Sequence, residues 1–225
     1  MKQSDAVEKL SVQIISCTRC KRLAKYIREV AEKKVKRYRD WVYWGKPVPG
    51  FGDAHAQVMI IGLAPAAHGA NRTGRMFTGD SSGDWLFRAL YEAGFANQPT
   101  SVDRNDGMRL KNVFIAAIAR CAPPDNKPLP QEIENCSRFL EKEMELLKNV
   151  KVVICLGQIS FNRYCKLNGL KGLAFGHGKK YHLKNGITLL SSYHPSRQNT
   201  QTGKLKWEQW VAVFHLTSSL LQQRV

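Results

Sequence analysis

Four short apolar runs, with helical patterns between them, leave this chain few architectures. They are residues 57–63 (QVMIIGL), 112–119 (NVFIAAIA), 150–157 (VKVVICLG) and 187–193 (ITLLSSY). Each is apolar almost throughout rather than alternating, as in a strand covered on both faces. Between them, residues 84–93 place Trp85, Leu86, Ala89 and Leu90 on one helical face, with Ser81 or Ser82 expected as the cap and Gly94 as the stop. Residues 130–147 open on Pro130 and carry Ile133, Phe139, Leu140 and Met144; residues 159–167 and 206–222 complete the helical set. Strands alternating with helices predict an α/β three-layer sandwich, with a central, mainly parallel four-stranded sheet flanked by helices. Residues 1–50 read as a basic helical extension of the same single domain, 1–225, closed by the turn-rich stretch 45–53. Ligands of such sheets bind beyond the carboxyl ends of the strands. The segments after Leu63, Ala119, Leu156 and Tyr193 are therefore where a site is expected.

Charge narrows the class of ligand. The chain carries 35 Lys+Arg against 18 Asp+Glu, a formal net charge of +17. Ten of the basic residues fall between Arg19 and Arg39, against only Glu29 and Glu32. One such run is ordinarily a solvated helix face, but in a chain this basic throughout it favours a polyanion, above all nucleic acid. No apolar run is long enough to span a membrane. The opening MKQSDAVEKLSVQIIS has acids and no long apolar stretch, so the expectation is an intracellular, cytoplasmic, DNA-associated protein without a membrane partner.

Six cysteines in such a setting suggest a metal or redox role more than disulfides. Cys17 and Cys20 form a C-x2-C pair before the basic helix; Cys121 follows the second strand and Cys136 lies on the next helix. Two close and two distant thiolates suit zinc or an iron–sulfur cluster, and the spacing does not choose between them. Cys155 and Cys165 read as packing residues.

Two strand-end segments carry the remaining chemistry. After the first strand comes GLAPAAHGANRTGRMFTGD, residues 62–80: small, polar, glycine-rich and leading into a helix, without the Gly-Lys-Ser/Thr ending of a nucleotide loop. After the fourth comes YHPSRQN, residues 193–199, where Pro195 stiffens a histidine at the mouth of a strand.

Together with RCAPPDNKP, residues 120–128, and the four cysteines, these motifs resemble the uracil-DNA glycosylase superfamily, most of all its iron–sulfur type B branch (family 5). The resemblance runs from about Cys17 to the C-terminal helix. It implies a monofunctional N-glycosyl hydrolase of base excision repair that flips uracil out of DNA and leaves an abasic site. It also implies a [4Fe–4S] cluster on Cys17, Cys20, Cys121 and Cys136, mainly structural in role. A zinc-dependent nucleic-acid-binding protein without catalysis is the alternative reading of the charge and the cysteines.

Carried over to this chain, the resemblance makes His194 the donor at the uracil O2 region and Phe77 the aromatic that stacks on the base. Asn126 would read the uracil edge, although related branches place that asparagine in the second strand, where this chain has Ala116 and Ala117. Other branches carry a water-activating Asp, Asn or Glu just after the first strand's glycine; here those positions are Leu63, Ala64, Pro65 and Ala66. Asp80 is the nearest carboxylate, able to orient water or to cap a helix. Asn199 is expected to position water or the His194 loop. Ser196 and the backbone from Gly62 through Ala64 to Gly69 would hold phosphates, and Arg197 and Gln198 would fill the gap left by the base. The expected partners are double-stranded and single-stranded DNA containing uracil, with a monomeric enzyme and a sliding clamp as its protein partner. Beyond uracil opposite guanine, the resemblance implies hydroxymethyluracil, ethenocytosine and hypoxanthine as substrates.

Overall fold

The computed structural model describes residues 2–223; Met1, Arg224 and Val225, the ends of the span expected as one domain, lie outside the described residues. Four strands occupy the four apolar runs: β2 (Val58–Gly62), β3 (Val113–Ala117), β4 (Val152–Leu156) and β6 (Thr188–Ser192). All twenty of their residues are buried. Side chains alternate across a strand, so Val58 and Ile60 enter one core while Met59 and Ile61 enter the other. A strand that feeds two cores has no solvent side to show, hence the nearly unbroken apolar runs; Thr188, Ser191 and Ser192 of β6 are buried polar exceptions.

The sheet has six strands rather than the expected four, in the order β1-β3-β2-β4-β6-β5. The four predicted strands pair in parallel, and an antiparallel strand closes each edge: β1 (Phe51–Gly52) on β3 and β5 (Lys179–His182) on β6. Neither carries an apolar run. β1 is two residues long, and β5, KKYH, is mostly solvent-exposed, a charged edge of the kind that discourages further pairing.

Helices α4 (Ser81–Glu92) and α8 (Trp207–Gln222) cover one face, where Leu86, Phe87, Leu90, Trp210 and Phe214 meet the sheet. On the other face α5 (Pro130–Leu146) and α6 (Gln158–Leu167) contribute Leu140, Phe161 and Tyr164. The N-terminal helices α1 (Gln3–Ile15) and α2 (Lys21–Lys33) precede the sheet. α1 docks on α5 through Leu10, Ile14, Cys136 and Phe139, so part of the basic extension shares a core with the sheet's own helices. Cys155 and Cys165 are packing residues of the second core, as expected.

From β2 the chain goes to β3 on one side and to β4 on the other. This reversal opens a crevice at the carboxyl ends of the strands, where α/β sheets bind their ligands.

Candidate active site

At that crevice three strand-end segments converge on a pocket of about 600 Å³. Leu63, Ala64, Ala66, Phe77 and Asp80 come from the segment after β2, Asp125 and Asn126 from the segment after β3, and His194, Ser196, Arg197 and Gln198 from the segment after β6. The sequence-expected residues Ala64, Phe77, Asp80, Asn126, His194, Ser196 and Arg197 are thus brought together. Gly62 and Asn199, also expected in the site, are not among the residues that line the pocket.

The segment after β2 is shaped by close approaches that only glycine permits. A Cβ on Gly62 would fall 2.9 Å from the Phe77 ring, so the bare backbone there lets the ring lie against the end of β2. A Cβ on Gly83, in the first turn of α4, would overlap the carbonyl oxygen of Phe77. Phe77 itself has φ 55°, the left-handed region that a bulky residue avoids unless its surroundings impose it. The imposition is visible: Arg75, buried beneath the loop, donates to Thr78 Oγ1 at 2.9 Å and pairs with Asp106 at 2.6 Å.

Asp80, and not Ser81 or Ser82, caps α4. Its Oδ1 accepts the backbone N–H groups of Ser82 (2.9 Å) and Gly83 (3.0 Å). In the run Asp80-Ser81-Ser82 each residue type can cap, and the chain direction set by Gly79 (φ 83°) selects the first. Oδ2 lies on the other side of the carboxylate, where a Cβ on Gly69 would overlap it. Burial raises the Asp80 pKa above the usual carboxylate value, opposed by the two N–H donors and by the charges of Arg72 and Arg197. The side chain therefore both caps a helix and stands in the pocket wall as a carboxylate more basic than usual.

His194 faces Phe77 across the pocket, the two rings 5.7 Å apart between centroids and inclined by 28°. Burial lowers its pKa from 6.5 to about 4, so it is neutral at physiological pH and can still donate from one ring nitrogen. Its backbone carbonyl accepts the Asn199 side-chain amide at 2.8 Å, while Ser196 Oγ accepts the Asn199 backbone N–H at 3.4 Å and caps the short helix α7 (Arg197–Gln201). Arg197 is exposed and donates from Nε to Ser81 Oγ at 3.3 Å, linking this loop to the start of α4.

Asp125 and Asn126 form the rim, exposed and both left-handed (φ 54° and 57°), a conformation that Asn and Asp tolerate. Ala116 and Ala117 are buried in β3 and offer the pocket no polar side chain. His68, in the segment after β2, pairs through Nδ1 with Tyr43 Oη at 3.1 Å. One residue of the motif escaped notice in the sequence: Arg72, on the short helix α3 (Ala70–Thr73), is only 3% exposed and lies between Tyr38 and Trp41. No local pattern announces this, because its partners lie more than thirty residues earlier in the chain.

A second, enclosed pocket is lined by Cys17, Cys20, Cys121 and Cys136, together with Arg19, Arg120, Asn135 and Phe139. Cys20 is the N-cap of α2, and Asn135 Nδ2 approaches its sulfur at 3.6 Å. Burial, and then the neighbouring thiols, pushes Cys121 well above the ordinary thiol range; Cys136 is pushed up to about 11, mainly by burial. Among the described residues no three His, Cys, Asp or Glu side chains stand close enough together to hold a single metal ion.

The profile of the Uracil DNA glycosylase superfamily matches residues 49–216. The chain is 46% identical over 202 residues to the type-5 uracil-DNA glycosylase of Thermus thermophilus, covering 89% of this chain and 91% of that protein. It is 45% identical over 196 residues to the type-5 uracil-DNA glycosylase of Pyrobaculum aerophilum, covering 87% and 85%. A type-4 uracil-DNA glycosylase of Archaeoglobus fulgidus is more distant, at 26% over 155 residues, covering 66% and 70%.

Proposed function

The chain belongs to the uracil DNA glycosylase superfamily and is a hydrolytic glycosylase that excises uracil from DNA; we propose that it does so with His194, Phe77, Asp80 and Asn126 as the working side chains of the pocket. The observation that carries this reading is their convergence, from three separate strand ends, on one pocket of about 600 Å³.

The extruded base stacks on Phe77 and presents its edge to Asn126. As the bond from C1′ to N1 lengthens, the electron pair moves onto the uracil, and the neutral imidazole of His194 donates a hydrogen bond where that charge gathers. Donors of this kind are worth about 3–4 kcal/mol of barrier. Asp80 offers Oδ2 to the developing sugar cation and to the incoming water. The water oxygen bonds to C1′ and its proton passes to the carboxylate and from there, through solvent, to the departing uracil anion, so that free uracil and an abasic site are left and the carboxylate is restored. A carboxylate whose basicity burial has raised suits that proton transfer. Asn199 holds the carbonyl of His194, keeping the imidazole at its post. Ser196 and the backbone of residues 62–69 face the flanking phosphates, and Arg197 and Gln198 occupy the space the base vacates.

A pocket walled by alanines and read at its exposed rim by Asn126 supports a broad choice of bases. Uracil opposite guanine comes first, and hydroxymethyluracil, ethenocytosine and hypoxanthine follow.

We propose that Cys17, Cys20, Cys121 and Cys136, which line one pocket, hold a [4Fe–4S] cluster. The donor set is all sulfur, with Arg19 and Arg120 beside it to offset negative charge. Held by Cys17, Cys20, Cys121 and Cys136, the cluster would supply a covalent tie between the N-terminal extension, the segment after β3 and α5. A zinc-dependent binding module without catalysis leaves the base-sized pocket and its buried histidine unexplained.

The test is incubation with a uracil-containing oligonucleotide followed by alkali. Strand scission at the uracil is the expected result, and its absence would sink the reading.

A further inference from the structure

Arg72 is buried inside the strand-end motif of residues 62–80, and it bridges two separate points of that motif. Its Nε donates to the carbonyl of His68 at 2.8 Å and its Nη2 to the carbonyl of Gly79 at 2.8 Å. Between those two carbonyls runs the loop that carries Phe77 and delivers Asp80. Gly79 has φ 83°, and a Cβ there would overlap Arg72 Nη2, so the loop closes directly onto the guanidinium.

The same guanidinium is packed against two rings of the N-terminal extension. Its central carbon lies 3.9 Å from the centre of the Tyr38 ring and 4.1 Å from that of Trp41, and these two rings meet edge to face at 6.1 Å. The backbone reinforces the junction: Trp44 donates to the carbonyl of Arg72 at 2.9 Å and Gly45 to that of Asn71 at 3.1 Å. Only arginine can bridge two carbonyls with its fork while its central carbon lies against two aromatic rings; a lysine ammonium offers neither plane nor fork. The arm also sits where it matters. The groove it lines, about 750 Å³, shares Ala66, Asp80, Ser81, Asn126 and Arg197 with the base pocket.

We propose that Arg72 is a positioning residue of the glycosylase, and that Tyr38 and Trp41 hold it, so that the basic extension sets the geometry of the loop bearing Phe77 and Asp80. The inference rests on the base-excision reading above and adds a part of the machinery outside the pocket. Arg72 acts through the loop and touches no reacting atom. The arm is accordingly more than a DNA-binding surface: its loss is felt in the chemical step and not merely in affinity.

The experiment compares the full-length wild type with Arg72→Lys, the double variant Tyr38→Ala/Trp41→Ala, and Trp41→Phe. Each is measured for kcat and KM on a uracil oligonucleotide and for thermal melting. The Lys variant and the double variant should lose about tenfold or more in kcat, the scale of a misplaced group, with KM changed by less than about twofold. Trp41→Phe, which keeps a ring on the guanidinium, should recover most of the wild-type kcat. A double variant with unchanged kcat and raised KM would overturn the proposal and make the arm a DNA contact only. An Arg72→Lys enzyme with wild-type kcat would overturn it as well, since charge alone would then suffice. If Arg72→Lys fails to melt cooperatively, the half-exposed Tyr38/Trp41 pair carries the decision. Wild-type protein inactive on uracil DNA would instead sink the glycosylase reading, a result visible before any variant is compared.

Discussion

The side-chain amide of Asn199 donates to the backbone carbonyl of His194 at 2.8 Å, so a residue in the short helix after β6 fixes the loop whose imidazole faces the pocket. Asn199→Ala removes that tie and leaves the imidazole itself in place. The expected outcome is a fall in kcat of about tenfold with little change in KM, because a donor displaced from the developing charge loses transition-state binding first. Steady-state kinetics on a uracil oligonucleotide would check it. Asn199→Asp, similar in shape but unable to donate, should behave like the alanine variant.

His194 makes a prediction about acid. Its folded pKa, about 4, lies below the 6.5 of an exposed histidine, so between those values the unfolded chain binds a proton there that the folded protein refuses. Stability therefore falls as pH drops from about 6.5 toward 4, by on the order of 3 kcal/mol from this group. His194→Gln abolishes the contribution. Denaturant melts of both proteins across that window should show the wild type losing ground to the variant. An equal pH dependence would refute the buried neutral imidazole. On activity, His194→Ala should cost about 10²–10³ in kcat.

Asp80 can be split into its two duties. Asparagine caps helices as well as aspartate, so Asp80→Asn should keep stability to within about 1 kcal/mol while Asp80→Ala loses the cap. Both variants lack the carboxylate, and both should lose about a hundredfold or more in kcat. An Asp80→Asn enzyme with wild-type rates would confine the residue to capping.

Gly83→Ala would push a methyl group into the Phe77 carbonyl. Backbone is the obstacle, so the strain is relieved only by moving the Phe77 loop. A loss of about 1–3 kcal/mol in stability is expected, together with a raised KM for uracil DNA. Alanine is ordinarily the better helix residue, so an unchanged melting temperature would contradict the crowded approach.

Cys17→Ala and Cys121→Ala should have the same two effects: loss of bound iron with its visible absorbance, and a lowered melting temperature, since either thiol is needed to tie the extension to the segment after β3. Iron analysis and thermal melts of purified protein would decide. Wild-type protein purified with zinc in place of iron would overturn the cluster assignment.

The central sheet was legible because strands buried on both faces are largely apolar: β2, β3 and β4 are so throughout, and β6 keeps Leu189 and Leu190 among small buried polar residues. β1 and β5 were not, since an edge strand two residues long, or one reading KKYH, owes its place to a neighbour's unpaired backbone and not to its own side chains. The site was legible where function needs loops at strand ends, as with Phe77 and His194. The cap of α4 was left open among Ser81, Ser82 and Asp80 because three successive residues could serve, and Asp80 takes it. Arg72 was missed for a different reason. Its surroundings are assembled from the extension and the motif together, and nothing in either stretch announces the other.

The division of Asp80 between Oδ1 and Oδ2 has a consequence for motion. A surface carboxylate spins freely about its last bond, and its two oxygens are interchangeable. Here any turn away from the cap breaks two bonds to helix-end N–H groups, so the plane of the carboxylate is held as firmly as the cap of α4. One oxygen is committed to the helix end whichever it is, and the helix acts as the bearing that holds the carboxylate plane in one orientation.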